Sequence, residues 1–129
     1  MSTAELHEPE EATRAAALAE KAIKQHEDAV KHLRDVSAML TGLGMQRATK
    51  KTEAIVRLCQ QDNPATPGKK YSASQAADFA QLDPEYAAYK EQVEKYTLLR
   101  QEAEGNVATA KLVAQLAVAL FRAEAGLTI

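Results

Sequence analysis

Arg47, Lys50, Lys51, Arg57, Lys69, Lys70 and Tyr71 gather six cationic groups and one aromatic ring into a short central stretch of the chain. That combination suits a polyanion. Cations neutralise phosphates and release their counterions, while an aromatic ring stacks on an unpaired base. The charge layout sets this stretch apart: residues 45–70 carry six Lys/Arg against two Asp/Glu, whereas residues 1–44 and residues 71–129 each carry five against eight. A +4 centre between two −3 flanks is more informative than the net charge of −2. A solvated basic face that balances neighbouring acids has the same composition, so composition leaves both readings open.

Other chemistries are poorly served. In PATPGKKYS a glycine precedes a lysine, but a phosphate loop needs a first glycine where Asn63 stands and a Ser or Thr where Lys70 stands. His7, His26 and His32 do not lie three or four residues from one another or from Cys59, so they do not form a metal set. Cys59 is the only cysteine, which rules out an intrachain disulfide and leaves a packed thiol rather than an activated nucleophile. Carboxylates fall on charged helical faces, where solvation and pairing account for them. The sequence therefore predicts a protein that is not an enzyme, with no catalytic residue, no metal and no cofactor.

The elements that position the basic stretch read as helices. Ala15, Ala19, Ala22, His26, Ala29, Leu33, Val36, Leu40 and Leu43 follow alternating steps of four and three, a coiled-coil seam. It predicts a helix over 9–43 that starts at Pro9 after a mobile N-terminus (1–8), with a kink at Thr41–Gly44 where two glycines weaken it. A second, basic helix is predicted over 45–60. Its packing side carries Ala48, Thr52, Ile55, Val56 and Cys59, with Arg47, Lys50, Lys51 and Arg57 largely opposite.

Asn63-Pro64 and Pro67-Gly68 predict a loop over 61–72. Ser72 and Gln75 have the spacing of a capping box for a short helix over 73–81. In Asp83-Pro84-Glu85, aspartate caps, proline takes the first helical position and glutamate faces the helix dipole, opening a helix over 84–125. Tyr86, Tyr89, Val93, Tyr96, Ala103, Val107, Ala110, Ala114, Ala117 and Phe121 form its seam, with Gly105-Asn106 as its weak point and Gly126 as its terminator.

Together these elements predict an all-α fold in a single helical domain over 9–129: a helical hairpin of two long helices with a kinked first arm and coiled-coil-like packing. Alanine dominates the apolar residues and buries little area per residue, so self-association is expected to complete the core. After Gly105 the apolar face widens until only Lys111, Gln115 and Arg122 form a polar strip. Val107, Leu112, Leu116, Leu120 and Phe121 are the expected oligomer contact. Val107–Phe121 is interrupted by Lys111 and Gln115 and is too short to span a membrane, and MSTAELHEPEE lacks the features of a signal peptide. The expected location is a reducing cytoplasm, with no membrane partner.

The order of a helix, a basic helix KKTEAIVRL (Lys50–Leu58), a polar loop PATPGKKYS (Pro64–Ser72) and a long C-terminal helix resembles the UvsY-type recombination mediators of tailed phages. The resemblance covers residues 45–125 as a pattern. It implies a homo-oligomer that binds single-stranded DNA and assists a recombinase in the cytoplasm of a bacterial host, with Lys50, Lys51, Lys69 and Lys70 on the DNA backbone. The chain departs from a DNA-binding pattern in its acidic balance and its proline-rich loop. The competing expectation is a helical protein-interaction factor of phage origin, an inhibitor of a host defence or nuclease complex or an assembly factor, that makes contact through its acidic flanks.

Overall fold

The computed structural model describes residues 3–126, with side chains from residue 10 onward. Four α-helices and one 3-10 turn succeed one another: α1 (Thr3–Met45), α2 (Arg47–Cys59), α3 (Ala73–Asp78), the 3-10 turn Ala80–Leu82, and α4 (Pro84–Glu124). Among the described residues there is no strand, and the nearest approach to one is an isolated bridge between Asp62 and Lys70. The all-α expectation holds, and the two long helices α1 and α4 pack against each other.

Two compact units divide the chain, residues 37–99 and the pair of segments 1–36 and 100–129. In the second of these, the small side chains Ala15, Ala19, Ala22 and Ala103 are buried together with Val36. Alanine permits close approach of two helix backbones, which is what the four-and-three spacing demands. His26, Ala29 and Leu33 are half-buried on the same stripe, as are Val107, Ala110, Ala114, Ala117 and Phe121 of α4. The seam positions of both long helices are therefore the positions that the fold withdraws from water.

Residues 37–99 have a different core. Ala54, Ala80, Tyr86 and Tyr89 cluster there, with Leu43 and Val93 packed against them. Aromatic rings supply the area that alanines do not. Leu58 is the largest fully buried side chain among the described residues and, with Ala54 one turn earlier, it defines the inner face of α2. Ala48, Thr52 and Val56, expected on that face, are exposed, while Ile55 and Cys59 are half-buried. Arg57, expected to face solvent, is instead half-buried and paired with Asp83, the residue just before α4.

Three boundaries differ from the sequence pattern. Helix α1 begins at Thr3 rather than Pro9, and Met1 and Ser2 of the segment expected to be mobile lie outside the described residues. It also continues through Gly42 and Gly44 and breaks at Gln46. At the break the Leu43 carbonyl accepts both the hydroxyl of Tyr89, 46 residues away, and the Gln46 N–H, the latter at 3.1 Å in a step of three residues instead of four. The helix expected over 73–81 is shortened to Asp78 and followed by the 3-10 turn, while α4 passes through Gly105-Asn106 without interruption. Gly126, at φ 73°, terminates the chain's last helix as expected.

Candidate functional site

The basic stretch lies within residues 37–99, and the geometry that presents it starts at Asp83. Asp83 is buried at the N-terminus of α4, where its Oδ2 accepts the Tyr86 N–H at 3.0 Å. The same carboxylate takes a bidentate pair of hydrogen bonds from Arg57, Nε to Oδ1 at 2.8 Å and Nη2 to Oδ2 at 2.7 Å. Two parallel charge-assisted bonds fix the angle between α2 and the start of α4 as one bond would not. Arg57 Nη1 lies 3.2 Å from Glu85 and 4.0 Å from Glu53.

Arg57 holds the Asp83 carboxyl below the usual carboxylate range through those hydrogen bonds, against the opposing effect of burial and with help from the Tyr86 N–H. The guanidinium is pushed further above its ordinary value by its hydrogen bonds to Asp83, with desolvation acting the other way and the charges of Asp83, Glu85 and Glu53 adding to the rise. Of the seven residues proposed for contact, Arg57 is thus committed to holding the fold.

The loop after α2 is closed by backbone bonds, Tyr71 N–H to the Gln61 carbonyl at 3.2 Å and Asn63 N–H to the Lys69 carbonyl at 2.8 Å. Asn63 is buried and its Oδ1 accepts the Ala65 N–H at 3.0 Å, a side-chain turn that explains why asparagine precedes Pro64. Gly68 takes φ 79°, a conformation that costs a residue with a Cβ, and it turns the chain back to present Lys69 and Lys70. The reciprocal capping box of Ser72 and Gln75 then starts α3, with bonds of 3.2 and 3.0 Å.

The six remaining candidates fall into two groups. Arg47 and Lys51 are exposed and Lys50 is half-buried at the N-terminal end of α2, while Lys69 and Lys70 are exposed in the loop beyond its C-terminal end. A helix of 13 residues separates them by roughly 20 Å. Tyr71 is half-buried and packs on Phe79, with ring centroids 6.4 Å apart at 56°. Phe79 itself is exposed, so the loop group carries two adjacent rings. Sequence reasoning missed Phe79, which fell inside the helix expected over 73–81, whereas in the structure that helix ends at Asp78 and Phe79 follows it. It also missed Lys90, one turn after Tyr86 on α4, whose Nζ lies 5.9 Å from the Tyr86 ring centroid beside the first group.

The ion pairs among the described residues join Lys24 to Asp28, Arg57 to Glu53, Asp83 and Glu85, and Arg100 to Glu104. Arg47, Lys50, Lys51, Lys69 and Lys70 take part in none of them. The apolar candidates divide as well. Val107 and Phe121 are half-buried on the seam, while Leu112, Leu116 and Leu120 are exposed together with Val113. No group of three or more His, Cys, Asp or Glu side chains that would hold a metal occurs among the described residues, and none of the described helices is long and apolar enough to cross a membrane.

Comparison with protein-family models, with curated proteins and with solved structures finds no match.

Proposed function

We propose that the protein is a non-catalytic accessory factor of DNA recombination that assembles as a homo-oligomer and contacts single-stranded DNA through the two basic groups at the ends of α2. The observation that carries this reading is the concentration of Arg47, Lys50, Lys51, Lys69 and Lys70, none of them in an ion pair among the described residues, at the two ends of one short helix. Glu53, Asp83 and Glu85 all pair with Arg57, which leaves the five cations at the ends of α2 available to an external anion. The Tyr71–Phe79 pair beside Lys70 adds the aromatic surface on which unpaired bases stack.

Repetition of these groups in an oligomer multiplies a weak contact into an avid one. Replacing Lys50, Lys51, Lys69 and Lys70 with Glu removes retardation of a single-stranded oligonucleotide in a gel while helicity and assembly persist; retardation equal to that of the parent protein contradicts the proposal.

The exposed row Leu112, Leu116 and Leu120 favours a second reading, a helical factor that binds another protein, such as an inhibitor of a host defence or nuclease complex or an assembly factor. The two separate on Leu120→Glu. Under the first reading it reduces oligomer mass and avidity for DNA together, and under the second it abolishes capture of the protein partner with no DNA binding to lose.

A further inference from the structure

In the segments 10–36 and 100–126, α4 carries two stripes of coiled-coil spacing rather than one. The first, Val107, Ala110, Ala114, Ala117 and Phe121, is half-buried on the seam. The second, Thr109, Val113, Leu116, Leu120 and Ala123, has the same four-and-three steps, stands one position earlier along the chain, and is exposed throughout. One position is about 100° of rotation around a helix, so the two stripes lie on adjacent faces. In a four-helix bundle each helix meets two neighbours on faces set roughly at right angles, and each face needs this spacing. Helix α1 packs on α4 along the first stripe. The second has the pattern of a helix contact, and no helix covers it among the described residues.

The groove beside the second stripe is lined by Leu18, Lys21 and Gln25 of α1 and by Val113, Leu116 and Leu120 of α4. On the opposite flank of α4, one position after the seam, stand Lys111, Gln115 and Arg122, which line a polar groove with His26. Only one side of the α1–α4 pair is therefore apolar enough to take a further helix. A patch that meets its own copy closes at two chains. Leu18, Leu112, Val113, Leu116 and Leu120 are between 46% and 63% exposed, so a pair of chains has about 1,000 Å² of apolar side chain to bury there, the threshold of a specific interface.

We infer that a second copy of this chain covers the stripe, with α4 antiparallel to α4 of its partner about a two-fold axis near Leu116, so that α1 and α4 of both chains form a four-helix bundle. Leu116 is the midpoint of Thr109 and Ala123, and an antiparallel copy sets the stripe against its own reverse. A two-fold axis along the helices sets it instead against Arg14, Lys21 and Gln25 of α1, where Leu18 alone is apolar. The inference rests on the assembly proposed above and not on the contact with DNA.

The test is disulfide cross-linking in a Cys59→Ser background. Leu116→Cys puts a thiol at the axis, and on mild oxidation it yields about tenfold more covalent dimer than Gln115→Cys, which is exposed on the opposite flank. In light scattering the parent protein weighs two chains, and Leu116→Glu weighs one with its helicity unchanged. Equal cross-linking at the two positions, or a parent mass above two chains, overturns this inference alone. A parent mass of one chain overturns it together with the proposed assembly and leaves the stripe to a different protein. A two-chain mass with the Leu116 cross-link, but no binding of a single-stranded oligonucleotide, supports the inference while overturning the proposed function.

Discussion

Around Asp83, residues 37–99 draw together a bidentate arginine, a helix cap, a buried asparagine turn and a pair of tyrosines. The segments 10–36 and 100–126 use almost none of these devices, and close with alanines on the seam while Leu112, Leu116 and Leu120 stay in water. Directional bonds specify one geometry and present charges at fixed places. Small apolar contacts specify little more than proximity, and leave room for a further helix to cover what is exposed. Under the proposed function, the first region would carry recognition and the second assembly.

The sharpest way to break the contrast is Asp83→Ala. It removes a cap and strands Arg57, and a cost of about 2 kcal/mol, roughly 8 °C in Tm by calorimetry, is expected. An alanine at Ser72, an exposed cap, costs less, about 1 kcal/mol.

Acid sharpens the same point. Since the Asp83 carboxyl is held below its ordinary range in the folded protein, its contribution is complete above the unfolded carboxylate value of about 4 and is lost as pH falls through the lower folded value. The Tm difference between the parent protein and Asp83→Asn is therefore constant from pH 7 to pH 5 and closes below about pH 4. A difference that does not change with pH would show that the carboxylate's charge is not what holds α2 to α4.

In the alanine-lined region the expected gains and losses are smaller. A Cβ at Gly105 meets nothing within 4 Å, so Gly105→Ala raises stability by about 1 kcal/mol in urea unfolding. Leu120→Glu changes the stability of the single chain by less than about 0.5 kcal/mol, because the side chain is already 46% exposed. In light scattering the same variant falls to the mass of one chain. A mass equal to that of the parent protein would remove Leu120 from any assembly contact.

Much of this organisation was legible in the sequence, because it rests on rules local to a helix turn. The four-and-three spacing of Ala15 to Leu43 marked the buried stripe of α1, Asp83-Pro84-Glu85 marked the start of α4, and Ser72 with Gln75 marked the capping box. What escaped involved partners distant in sequence. Arg57 looked solvent-facing because Asp83 lies 26 residues away, and the break at Gln46 depends on the hydroxyl of Tyr89, 46 residues after Leu43. The glycines at 42 and 44 misled for the same reason: propensity favoured a break there, but the tertiary hydrogen bond decides where it falls. In the candidate site, the exposure of Lys69 and Lys70 followed from the Pro-Gly turn. The separation of the basic residues by the length of α2, and the addition of Lys90 and Phe79, required the fold.

The most direct test of the central claim is fluorescence anisotropy of a labelled single-stranded oligonucleotide titrated with the protein at several salt concentrations. Phosphate contacts by Arg47, Lys50, Lys51, Lys69 and Lys70 predict binding that weakens steeply and log-linearly as salt rises, with a shallower slope in the Lys→Glu variant. Absence of binding at low salt, or binding indifferent to salt, would contradict the claim.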